Sequence, residues 1–199
     1  MRPVTLLSFF LVIVLALVVL PACDSDDDTD GRLDTPGSGN DHDNDDDDDS
    51  GEQGYDVGDI APDLCLDNDE GEESCLSDHD GNVVLLTVMA AWCPACDTEA
   101  GNIVKTLHDP YHERGFDVFM VLAKNAADGT PSQGDLEAWR AGHNLPFNVM
   151  ADPYYEETAA FFPSNYIPLN IVLDRDRVIR YSQTGYDPYS ISNVVNSHL

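Results

Sequence analysis

Hydrophobic residues follow three regimes along the chain. Leu6 to Leu20 is apolar apart from Ser8, residues 24–54 carry almost no apolar side chain, and residues 55–199 alternate short apolar runs with polar turns. In this last regime Val83 to Met89 is an unbroken aliphatic and β-branched run, the pattern of a strand covered on both faces. Phe116 to Leu122 reads the same way. Ile103, Val104 and Leu107 recur at helical spacing and predict a helix over 94–107. Ser132 to Gly142 predicts a helix, Phe147 to Met150 a short strand, and Glu156 to Phe162 a further helix. Leu169 to Leu173 and Val178 to Ser182 predict strands around the turn Asp174-Arg175-Asp176-Arg177. Asp187-Pro188 supplies an N-cap followed by proline at the first helical position, opening a last helix to about His198. Upstream, Tyr55 to Pro62 leads in, and Leu64 to Leu66 and Glu73 to Leu76 flank the turn-rich Asp67-Asn68-Asp69-Glu70-Gly71, a hairpin signature. Strands alternating with helices and ending in a hairpin predict an α/β fold, with a central mixed sheet flanked by helices. The hairpin is an N-terminal extension, and 132–150 an inserted helix–strand element.

The first regime is shorter than the ~20 residues a spanning helix requires. With Arg2 ahead of it, it fits a signal-peptide core. It ends in Leu20-Pro21-Ala22-Cys23, which resembles a bacterial lipobox with Pro21 as an unusual member. A lipoprotein signal over 1–22 and acyl chains on Cys23 are therefore expected; an ordinary cleaved signal is the alternative. Residues 23–54, with the run Asp45 to Asp49, cannot bury enough surface to offset their ordering entropy. They are expected to form an acidic disordered tether, extended by its own charge. Calcium binding is the sharper alternative for this run. Asp41-His42-Asp43-Asn44-Asp45 lacks the glycine and distal glutamate of an EF-hand loop. The folded domain is expected over 55–199.

Net charge is -29, and acidic residues predominate in the domain as well as in the tether. Such a balance excludes a basic nucleic-acid footprint. It also opposes adsorption on anionic lipid, so membrane attachment must come from the lipid on Cys23.

The chemistry lies in Ala91-Trp92-Cys93-Pro94-Ala95-Cys96, where the first buried strand gives way to a helix. A thiol at a helix N-terminus is stabilised as thiolate by unpaired backbone N–H groups. A second thiol one turn on can resolve the mixed disulfide formed by the first. Half of a zinc site is the competing reading of such a pair. Cys65 and Cys75 do not supply a second knuckle, so no metal and no cofactor are expected. Flanking the predicted hairpin turn, those two are expected to form a structural disulfide, with a second redox relay as the alternative.

Val83 through Cys96 resembles the active-site segment of the thioredoxin superfamily, and most closely its TlpA/ResA-like, AhpC/TSA-related lipoprotein branch. The resemblance implies that Cys93 and Cys96 are catalytic, that Trp92, Pro94 and Glu99 support them, and that Tyr166-Ile167-Pro168 is the cis-proline loop. Ile167 and Pro168 would then form the edge on which a substrate chain docks. Thr87 stands where thioredoxins carry a buried aspartate, and Glu99 or a water is expected to take over its proton transfer. Gly101 replaces the family's helix proline. The Pro-x-x-x-Thr-x-x-Cys pattern of peroxidases is missing. The spacing of copper-delivering relatives is also missing, and His143 is expected to be a surface residue. Asp97 and Glu99 disfavour a strongly stabilised thiolate, which favours a reductant over a strong oxidant. The function implied is an extracytoplasmic, periplasmic-side enzyme on a bacterial membrane. It would act on thiols and disulfides of exported proteins and be served by a thiol redox partner. A binding lipoprotein with a merely structural Cys93–Cys96 bond is the alternative.

Overall fold

The structure is a computed structural model, and it describes residues 51–164 and 166–199. The signal sequence, Cys23 and most of the acidic tether lie outside the described residues.

Two strands form the leading hairpin, β1 (Cys65–Asp67) and β2 (Glu73–Cys75). Five more follow: β3 (Val83–Ala90), β4 (Phe116–Lys124), β5 (Val149–Ala151), β6 (Leu169–Leu173) and β7 (Ile179–Thr184). The helices are α1 (Pro94–Ile103), α2 (Asp109–Tyr111), α3 (Gln133–His143) and α4 (Pro188–His198). The main sheet runs β5-β4-β3-β6-β7. β3, β4 and β5 are parallel, whereas β6 is antiparallel to both β3 and β7. This is the expected mixed sheet of a thioredoxin-like α/β fold.

All eight residues of β3 are buried, because the sheet is covered on both faces. Alternate side chains enter opposite layers. Val83, Leu85 and Met89 join a core with Ile103, Leu107, Ile191 and Val195 from the helices. Val84, Leu86 and Val88 join another with Ala61, Leu64 and Phe161. By that parity Thr87 faces the layer of α1. Asn170 lies opposite it in the β3–β6 register and breaks an otherwise apolar strand. Each layer buries several large aliphatic side chains, at about 1.5–3 kcal/mol apiece.

The chain before Tyr55 already takes part in the fold: Gln53 bridges Ile60, which in turn bridges Val178. The hairpin is fastened at its tip. Buried Asp69 accepts from Val149 N (2.9 Å) and Arg140 Nη1 (2.8 Å). Cys65 and Cys75 are cross-strand partners joined by a disulfide.

Two expectations change. The helix over 94–107 is α-helical only to Ile103 and continues as a π turn over Val104–His108. Pro110 lies just beyond, without an N–H to donate back along the rod. Glu156–Phe162 is not an α-helix; 3-10 turns at Pro153–Tyr155 and Ala159–Phe161 take its place. The cause is Asp152, whose buried carboxylate accepts from Glu157 N, Thr158 N and Thr158 Oγ1. That carboxylate winds the backbone around itself. Tyr154 and Tyr155 both take left-handed φ values, 60° and 62°.

Candidate active site

β3 delivers the redox motif. Its last residue, Ala90, accepts a hydrogen bond from Cys93 N at 3.1 Å, closing a turn through Ala91 and Trp92. Cys93 is the N-cap of α1, and Pro94 occupies the first turn, where no N–H is needed. Cys93 Sγ accepts from Cys96 N at 3.2 Å, so a backbone donor at the helix N-terminus points at this sulfur. A disulfide joins the two cysteines. Their exposure differs: Cys93 is 6% accessible and Cys96 0%. Cys93 keeps a small accessible surface, and Cys96 keeps none.

Around the pair, Trp92 is 47% exposed. It lines a cleft of about 440 Å³ with Lys124, Asp128, Tyr155, Phe162 and Ile167. The Ile167–Pro168 peptide is cis. Ile167 packs on the same core cluster as Cys93 and Cys96. Pro168 is buried, and its carbonyl accepts from Gly185 N at 2.7 Å. Leu169 pairs with Val88, so the cis peptide sits towards the end of β3 from which the motif emerges.

Glu99 is fully buried one turn after Cys96. Its Oε1 accepts from Thr87 Oγ1 at 2.9 Å and its Oε2 from Asn170 Nδ2 at 3.0 Å. Burial pushes its carboxyl up to about 7, against the opposing pull of the Asn170 and Thr87 hydrogen bonds. Thr87 thus donates to an acid carried by the facing helix.

His143 is not a surface residue as expected, but is largely buried against α1. Nδ1 faces Trp139 O at 3.0 Å and Nε2 faces Asp97 Oδ1 at 3.0 Å. The ring thus lies between the backbone of its own helix and Asp97 on α1. A Cβ at Gly101 would make only an ordinary contact with the ring, 3.9 Å from His143 Cδ2. Asp97 is therefore tied to α3.

The structure brings Trp92, Cys93, Pro94, Cys96, Glu99, Ile167 and Pro168 to one end of the sheet. Cys65 and Cys75 belong to the hairpin and are bonded to each other. Sequence reasoning missed Asn170, His143, Lys124, Tyr155 and Phe162. A polar residue inside the run Leu169–Leu173 was the only local signal for any of them.

A thioredoxin-like sheet carrying a bonded Cys-x-x-Cys pair at the head of its first helix defines a thiol–disulfide oxidoreductase of the TlpA/ResA-like kind. Residues 57–182 match the AhpC/TSA family, and the chain belongs to that family. It is 27% identical over 129 residues to the thiol-disulfide oxidoreductase ResA of Geobacillus thermodenitrificans, covering 65% of this chain and 70% of that one. It is 31% identical over 107 residues to the peroxiredoxin Bcp of Bacillus subtilis, covering 53% of this chain and 63% of the relative. Among solved structures, a proposed thiol:disulfide interchange protein DsbE from Chlorobium tepidum superposes with a TM-score of 0.61 at 25% identity. That match covers 72% of this chain and 98% of the other. The peroxiredoxin likeness does not extend to a peroxidatic pattern, since Leu86 and Ala90 stand seven and three residues before Cys93, where proline and threonine are needed.

Proposed function

We propose that the chain exchanges or reduces disulfides in exported proteins from the outer side of a bacterial membrane, held there by acyl chains on Cys23. Residues 23–50 serve as the tether, and the catalytic domain begins just before the Glu52–Gln53 segment that pairs with Ile60. The observation that carries the catalytic part is the unequal pair: one reachable sulfur at a helix N-terminus, its partner enclosed a turn behind. The lipobox-like Leu20-Pro21-Ala22-Cys23 supports the anchor. The Cys65–Cys75 bond suits an oxidising compartment.

In the reducing direction, Cys93 thiolate attacks one sulfur of the partner's disulfide, forming a mixed disulfide and expelling the partner's other sulfur as thiolate, which takes a proton from solvent. Cys96 thiol gives its proton to the Glu99 carboxylate and attacks Cys93 Sγ. The Cys93–partner bond breaks, and the second partner thiolate leaves with the electron pair. The partner gains two electrons, the domain becomes the Cys93–Cys96 disulfide, and a thiol donor must restore it. Ile167 and Pro168 form the edge along which the partner chain lies, and Trp92 walls the cleft beside it. Insulin reduction by the wild type and Cys93→Ser tests this reading: activity is expected only in the wild type, and equal activity would leave the domain a scaffold.

A further inference from the structure

Asn170 spends a buried amide on one carboxylate. Its Nδ2 donates both to Glu99 Oε2 (3.0 Å) and to Gly185 O (3.2 Å). Its Oδ1 is buried without a hydrogen-bond partner among the described residues. Flipping the amide would set Oδ1 against the Gly185 carbonyl, so the backbone fixes which way it points. An unsatisfied buried acceptor costs stability, and an apolar residue of the same shape in β6 would avoid that cost. The amide therefore earns its place through the group it donates to.

Its position in the chain gives a second argument. Asn170 lies two residues after the cis Ile167–Pro168 peptide and pairs with Thr87 across the β3–β6 ladder. Thr87 is the other donor to Glu99. Two neighbouring strands thus present one donor each to the two oxygens of a carboxylate on α1. One of those strands is also the strand on which a partner docks. We propose that Asn170 is a positioning residue that keeps the Glu99 carboxylate anionic, aimed and in register with the docking strand, ready to take the Cys96 proton. This rests on the oxidoreductase reading above.

Other groups near Glu99 are few. Cys96 shares its helix, and the phenols of Tyr181 on β7 and Tyr186 just beyond it feel its charge. No basic side chain among the described residues offsets that charge. The two hydrogen bonds are what favours the ionised form.

The test uses the full chain and a neutral disulfide peptide. The rate at which Cys96 resolves the mixed disulfide on Cys93 is followed from about pH 5 to 10. In Asn170→Leu the midpoint is expected to move up by about one pH unit, a roughly fivefold loss near pH 7 that approaches tenfold at lower pH and recovers at the alkaline end. Thr87→Val should move it in the same direction. In a Glu99→Gln background Asn170→Leu should add no shift. A uniform loss at every pH, or the same shift without Glu99, would overturn the proposal. If Asn170→Leu does not fold, Asn170→Ser removes the same donor with less volume change and is held to the same outcomes. An infrared titration of the protonated Glu99 carboxyl reads the effect without any exchange chemistry: an upward midpoint in the variant supports the proposal, an unchanged one refutes it. A wild type that forms no mixed disulfide would count against the oxidoreductase reading, while the infrared result would still decide the role of Asn170.

Discussion

Glu99 sets the terms at the scale of single residues. Its carboxyl titrates near 7 in the folded domain against an ordinary value of 4.5. A carboxyl raised in this way binds its proton more tightly folded than unfolded. The fold carries no cost for it below about pH 4.5, a growing cost as pH rises, and the full cost above pH 7. That cost is on the order of 3 kcal/mol. Glu99→Gln should therefore be more stable than wild type at about pH 8, and indistinguishable from it near pH 4, by thermal or denaturant unfolding. The same variant should lose the resolving step near neutrality. Cys96→Ser should accumulate mixed disulfides on Cys93, visible by mass spectrometry under non-reducing conditions. Asp117 has the opposite sign. The His79 hydrogen bond holds it below its ordinary value against the pull of burial, with Asn82 adding to the effect. Its contribution is present above the unfolded value and is lost as pH falls through the lowered one.

At the scale of elements, the hairpin and β3 behave differently. β1 and β2 are three residues each, too short to hold on their own. The Cys65–Cys75 bond and the Asp69 clasp hold them. Replacing both cysteines with serine should cost about 2–3 kcal/mol while leaving Cys93–Cys96 exchange nearly intact. A large loss of exchange would instead make the hairpin pair a redox relay. Asp69→Ala should be severe too, since it strips Val149 N and Arg140 of a shared acceptor. Most of this architecture was legible beforehand. The unbroken apolar run of β3, the Asp187-Pro188 start of α4 and the Cys-x-x-Cys after a strand are local patterns with local causes. Glu156–Phe162 was illegible because one buried side chain, Asp152, reorganises the backbone after it. His143 was illegible because its partner Asp97 lies far away in sequence. Asn170 was visible only as a polar residue in an apolar run, and its meaning needs the register of β3 against β6.

At the scale of the whole molecule, the charge of -29 opposes adsorption on anionic lipid, and the anchor we propose is the acyl chains on Cys23. Cys23→Ala should move the protein from the membrane fraction to the soluble one without altering exchange by the folded domain, checked by fractionation and an insulin assay. Retention of the variant in the membrane would argue for another anchor. The direction of electron flow also belongs here. Asp97, tied to His143, and buried Glu99 are the acidic neighbours on which the case for a reductant rests. A reduction potential measured against glutathione decides it, and a strongly oxidising value would reverse the proposed direction.

The enclosure of Cys96 governs the order of events. On the proposed reading, with only Cys93 of the pair retaining accessible surface, a protein that gives electrons and one that takes them would use the same doorway, one after the other. Turnover should be ping-pong, with an excess of either visitor inhibiting the other, and a bulky alkylating reagent that blocks Cys93 should shut both halves of the cycle at once.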